Sequence, residues 1–218
     1  MKKQWLGMMV VLCGLSVMAS ATVIQTNEQL PLYDVYPALT DDLINDGSPS
    51  LAGESSTGGL DCGSGSAMND GQTAPSNFWT GYNGDYDNSW SCTYTLDTTA
   101  NTNGYDISTI AVIGGWNSGL ESDRSRIEFT VEYLQVGATE YSTLGYYDWD
   151  PATDGISRVT IGDDQGASIL SGVIELKVTF GIGGMYREVD VTGSPTPEPA
   201  TMSLLAVGGL TLLRRRKW

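Results

Sequence analysis

The chain contains no histidine. That removes Ser-His-Asp and Cys-His nucleophilic catalysis, histidine-ligated zinc and the usual general base of neutral pH. Basic residues are scarce too, eleven against twenty-six acidic ones, and six of the eleven sit at the extreme ends, as Lys2, Lys3, Arg214, Arg215, Arg216 and Lys217. Residues 22–198 keep only Arg124, Arg126, Arg158, Lys177 and Arg187 against all twenty-six acids, a net charge of −21. Such a field repels nucleic acid and anionic lipid, and it favours solubility and divalent cations. No internal repeat of fixed period, no EF-hand spacing and no convincing helical period occurs in the body, although residues 34–43 have room for a turn or two.

The first twenty-one residues read as a secretory signal peptide. Lys2 and Lys3 give a charged start, residues 6–17 an apolar stretch, and Ala19-Ser20-Ala21 a small-residue cleavage site. The mature chain then begins near Thr22, after passage through the Sec export machinery. Cys13 lies upstream of that site and follows Leu12, which disfavours lipid modification. Export leaves Cys62 and Cys92 where disulfides persist; two free thiols are the alternative.

At the other end Pro197-Glu198-Pro199 precedes an apolar stretch, residues 200–213, and then the basic run that includes Arg214, Arg215 and Arg216. Fourteen helical residues reach roughly 21 Å, short of the roughly 30 Å hydrocarbon core of a bilayer. The basic tail favours the cytoplasmic side, which leaves the body outside the inner membrane. The segment SPTPEPATMSLLAVGGLTLLRRRKW, residues 194–218, resembles the PEP-CTERM sorting signal of bacterial exported proteins, which combines these three parts in this order. The resemblance implies processing by an exosortase, a membrane-embedded protease, and delivery to the envelope or beyond it. An uncut tail anchor, with a short transmembrane helix, is the alternative.

Between the signals, residues 22–193 form one β-rich domain in this reading. Residues 126–136 alternate, with Ile127, Phe129, Val131 and Tyr133 on one face and Glu128, Thr130 and Glu132 on the other. Ile174, Leu176, Val178 and Phe180 repeat the pattern. Shorter candidates are 92–96, 107–113, 158–161 and 187–191, separated by turn signals such as Asn103-Gly104 and Asp163-Asp164. Residues 48–84, rich in Gly and Ser, read as a long surface loop region. Many short strands between turns predict an antiparallel sandwich or barrel.

The segments LINDGSPS (43–50), SWSCTYTLD (89–97), YDISTIAVIGGW (105–116), RIEFTVEYL (126–134) and YREVDV (186–191) resemble the galactose-binding-like, discoidin-type jelly roll. A concanavalin-like sandwich is the rival. The resemblance implies a structural calcium ion where the early Asp-Gly loop meets a carboxylate of the last strand. The matching positions are Asp46 and Glu188, with Ser48 as a further oxygen donor. An ion pair of Glu188 with Arg187 or a neighbouring strand's cation is the alternative.

Two loops interleave aromatics with amides and carboxylates, residues 77–88 and 146–150. Such mixtures suit carbohydrate, because aromatic faces cover the apolar side of a pyranose while polar groups fix its hydroxyls. The candidate ligand residues are Trp79, Tyr82, Tyr86, Tyr147 and Trp149, with core or rim packing as the plain alternative. Paired carboxylates could support glycoside hydrolysis, but Asp148 with Asp150 and Asp163 with Asp164 lie in turn-rich segments and read as solvated. The expectation is an exported protein that is not an enzyme, its body a carbohydrate-binding module directed at extracellular polysaccharide. A structural matrix protein without a small ligand is the second reading.

Overall fold

The computed structural model describes residues 22–31, 34–37, 39, 41–57, 68–71, 81–82, 90–115, 125–153, 155–181 and 184–198. Ten strands run in chain order: β1 (Val23–Leu30), β2 (Leu51–Thr57), β3 (Gly81–Tyr82), β4 (Trp90–Leu96), β5 (Tyr105–Gly114), β6 (Ile127–Gln135), β7 (Ser142–Trp149), β8 (Ile156–Asp163), β9 (Leu170–Phe180) and β10 (Met185–Pro195). Every pairing is antiparallel. The ladders fall into two layers, β1-β8-β5-β10-β3 and β7-β6-β9-β4-β2. They join where the start of β5 pairs with the start of β9, at Tyr105 with Val173 and Ile107 with Leu170. The fold is all-β, as expected from the alternating runs. The helices expected at the two ends fall on residues 1–21 and 199–218, outside the described residues.

The core between the layers follows the period of two. Cys92, Tyr94 and Leu96 of β4, Phe129 and Val131 of β6, and Val178 and Phe180 of β9 face Ile110, Val112, Val159, Ile161, Val189 and Val191 from the other layer. Each of the aliphatic and phenylalanine side chains among them contributes about 1.5–3 kcal/mol on burial. In β9 the alternation breaks on either side of Val173. Val173 is buried and Ile174 only half-buried, because a register shift against Leu134 and Gln135 turns the strand over.

Three segments depart from the sequence reading. Residues 48–84 contain more than loop: β2 is an edge strand with a polar sequence, and a turn at residues 68–71 buries Met68 and Asn69 completely. Residues 146–150, read as an aromatic loop, belong largely to β7. Among the described residues of 34–43 there is no helical turn, and Asp42 makes a β-bridge with Thr192.

Candidate functional site

β10 gathers the chemistry. Its sequence places Glu188 and Asp190 two residues apart, and both are buried, Glu188 completely. A register shift after Tyr186 sets their phase against β5. The strand is also bonded by two short segments from early in the chain. The Val189 N–H donates to the Met68 carbonyl at 2.6 Å, and Leu43 N–H donates to the Val191 carbonyl at 2.8 Å. Asp42 Oδ1 accepts from the N–H groups of Ile44 (3.1 Å) and Val191 (2.9 Å). The Gly71 N–H donates to Glu188 Oε1 at 3.0 Å.

The result is a buried triad. One carboxylate oxygen from each of Asp42, Glu188 and Asp190 lies within 4.8 Å of the other two. Burial pushes all three acids up, Glu188 to about 9, Asp190 to about 7 and Asp42 to about 6. Mutual repulsion adds to this, with Asp70 also acting on Glu188 and Asp41 on Asp42. The backbone N–H groups and, at Asp190, the Arg158 guanidinium offset part of it. Among the described residues, Asp42 Oδ2, Glu188 Oε2 and the fully buried Asn69 Oδ1 have no hydrogen-bond donor. Asn69 is oriented by its amide, which donates to the Ile44 carbonyl (2.6 Å) and Glu54 Oε2 (3.0 Å). Buried acceptors that face other acceptors are costly unless a cation joins them. Hard oxygen donors of this kind fit calcium.

The expected calcium ligands are therefore only partly brought together. Glu188 is in the cluster. Asp46 is exposed, its N–H bonded to the Asn69 carbonyl at 2.7 Å, and the Ser48 hydroxyl accepts from the Ser50 N–H at 3.3 Å. It is Asp42 and Asp190 that converge with Glu188. The Asp-Gly loop lies beside the site through its bond to Asn69, four residues past the acid that reaches it. Residues two apart on a strand share a face, so the spacing of Glu188 and Asp190 was a signal for this pair that the resemblance, which pointed to Asp46, left unused.

The expected aromatic ligands divide differently. Tyr147 is a core residue, 8% exposed and stacked on Phe129 at 5.3 Å between ring centroids, because it occupies an inward position of β7. Trp149 packs half-buried against the same core. Trp79 and Tyr86, and the side chain of Tyr82, lie outside the described residues.

The outward positions of β7 present Tyr146, 59% exposed. Tyr146 stands opposite Thr130, Thr130 opposite Thr179, and Thr179 opposite Ser91, which makes a row of hydroxyls across four strands. The next row is Glu132, Lys177, Thr93 and Ser55. Tyr141, 39% exposed, hydrogen-bonds Glu175 at 2.5 Å, while Tyr146 hydrogen-bonds Glu128 at 2.9 Å. Arg126 grips Asp148 through two bonds, at 2.9 and 2.8 Å, and Lys177 pairs with Glu132 at 2.8 Å. Both rings are thus held in place on a face whose cations are already paired.

Cys92 is fully buried on β4 and disulfide-bonded, and Cys62 lies outside the described residues. Pro197 and Glu198 are exposed just beyond β10; Pro199, Arg214, Arg215 and Arg216 lie outside the described residues.

Residues 195–217 match the PEP-CTERM protein-sorting motif. No curated protein sequence matches the chain. Among solved structures, an F5/8 type C domain from Bacteroides fragilis is 9% identical, covers 67% of this chain and 94% of its own, and has a TM-score of 0.35. The CBM32-1 and CBM32-2 domains of Clostridium perfringens ZmpB are 9% identical, with 84% of this chain and 36% of their own covered and a TM-score of 0.32. At these values neither likeness bears on function, and the sandwich rests on its strand pairing.

Proposed function

We propose that this is an exported protein, processed by an exosortase at its PEP-CTERM motif, whose body is a non-catalytic carbohydrate-binding module of the cell envelope or extracellular polysaccharide. The observation that carries the binding half of this reading is the face of β7, β6 and β9. Two exposed tyrosines flank rows of threonine and serine hydroxyls there. Tyrosine rings supply apolar contact to a sugar face at low entropic cost, and the hydroxyls and paired carboxylates around them match a neutral, hydroxyl-rich chain. Tyr146→Ala is expected to weaken retention of the body in polysaccharide gels about two- to tenfold, since one aromatic contact contributes about 0.5–1.5 kcal/mol. Its melting temperature should stay unchanged, because the side chain is exposed. Unaltered retention would move the ligand site elsewhere. A body that no polysaccharide retains would favour the structural matrix protein.

Two further elements support the body in this reading. Asp42, Glu188, Asp190 and Asn69 would hold a calcium ion, which neutralises the cluster and ties residues 42–46 and 68–71 to β10. Cys92 and Cys62 are the two cysteines of the mature chain, and a bond between them closes a loop of about thirty residues. The chain-entropy relation values that at roughly 3.5 kcal/mol. Labelling of the folded, exported protein with a thiol reagent should modify neither cysteine before reduction; labelling of Cys62 would contradict the pairing.

A further inference from the structure

β10 and the sorting motif are one continuous segment, and its junction is tied down. The last ladder residue, Pro195, pairs with Tyr105 of β5. Thr196 follows and is still held. Its N–H donates to the Gly104 carbonyl at 2.9 Å, its hydroxyl donates to Asp106 Oδ1 at 2.6 Å, and the same hydroxyl accepts from the Gly172 N–H at 3.2 Å. Asp106 Oδ1 also accepts from the Ser171 hydroxyl at 2.5 Å and the Gly172 N–H at 3.4 Å. Three segments, at the starts of β5 and β9 and the end of β10, therefore meet on one carboxylate oxygen. The approach is backbone-limited: Gly104 has φ +74°, and a Cβ there would lie 2.6 Å from the Val173 carbonyl oxygen.

Beyond Thr196 only Pro197, Glu198 and Pro199 precede the apolar stretch that opens at Ala200. Prolines favour the extended polyproline conformation, about 3.1 Å per residue, so a three-residue spacer of this composition would reach roughly 10 Å. Proteins that take a peptide as an added strand need its backbone N–H and C=O groups free. On the N-terminal side these groups are engaged, since Thr192, Gly193, Ser194 and Pro195 pair with Thr109, Ile107, Asp106 and Tyr105.

We propose that the Thr196–Asp106 clamp sets the N-terminal limit of the segment that the sorting protease can take, so that the cut falls after Thr196 and the mature body keeps β10 whole. The inference rests on the reading that the motif is processed. In the cleavage the carbonyl carbon of the cut bond passes to water, or to an acceptor amine or hydroxyl. The departing nitrogen takes a proton and becomes the new amino terminus of the apolar tail. The limit has a structural purpose, because β10 carries Glu188 and Asp190, and a cut inside its last residues would open the ladder that positions them.

The test follows the full chain in its native host by pulse-chase, with mass spectrometry of the mature C-terminus. The wild-type terminus is expected at Thr196 or later. Thr196→Val, which removes the hydroxyl with little change of shape, and Asp106→Ala are expected to speed processing several-fold and to give ragged ends within residues 192–195. A Gly-Ser insertion between Thr196 and Pro197, which leaves the body untouched, is expected to speed processing while the cut stays after Thr196. A wild-type terminus before Thr196, or clamp variants and an insertion that all process like wild type, would overturn the clamp. Trp218 retained on the mature wild-type protein would instead overturn the processing on which the clamp depends.

Discussion

Chelation of divalent cations is expected to lower the melting temperature of the body by about 5–11 °C at neutral pH, with calcium restoring it. A ligand present at a hundred times its dissociation constant stabilises the folded state by about 2.7 kcal/mol, and 1 kcal/mol moves the midpoint of a domain this size by about 2–4 °C. The pH dependence gives the effect its signature. Burial holds the carboxyls of Glu188, Asp190 and Asp42 at about 9, 7 and 6, above the usual carboxylate range. The metal-free folded state therefore binds more protons than the unfolded chain, and its stability falls as pH rises from about 4 through those values. Calcium competes with the protons and binds better as pH rises. The chelated and calcium-loaded melting curves should nearly coincide at pH 5 and separate steadily towards pH 9. Differential scanning fluorimetry across that range checks this. A chelator without effect at pH 8 would leave the triad a proton-sharing cluster.

Glu188→Gln is expected to raise the melting temperature of the chelated protein at pH 8 and to abolish the increment from calcium. The amide keeps the shape of the side chain and its acceptor oxygen for the Gly71 N–H, but it removes the carboxyl that burial most strongly forces to take up a proton on folding. Each unit by which a buried carboxyl is shifted corresponds to about 1.4 kcal/mol, so a large part of the metal-free penalty should go with it. The same substitution takes a ligand from the cation. Tyr94, fully buried and itself pushed up by burial and by the fields of Glu188, Asp42, Glu54 and Asp190, should titrate closer to its ordinary value in the variant. A destabilised chelated variant would mean that the charge on Glu188 is satisfied in some other way.

The strands that build the core were legible because each pairs an apolar face with a polar one. Ile127, Phe129 and Val131 against Glu128, Thr130 and Glu132 can sit only one way on a half-buried sheet. The edge strands were not. In β1 and β2 exposed polar residues occur on both faces, so no period separates them from loop. β7 is hidden in the sequence because Tyr146 and Tyr147 are alike in composition yet face opposite sides, which only the pairing with Thr130 and Phe129 reveals. Of the site, Glu188 was visible through its strand. Asp42 was not, because its role comes from the N–H groups of Ile44 and Val191, the latter 149 residues away in sequence.

Affinity electrophoresis of the purified body through a panel of neutral and anionic polysaccharides, with calcium and with chelator, tests the proposed function most directly. Retardation by at least one neutral polysaccharide, lost in Tyr146→Ala, is the expected result. Migration unretarded by every polysaccharide, in calcium and in chelator alike, would contradict it.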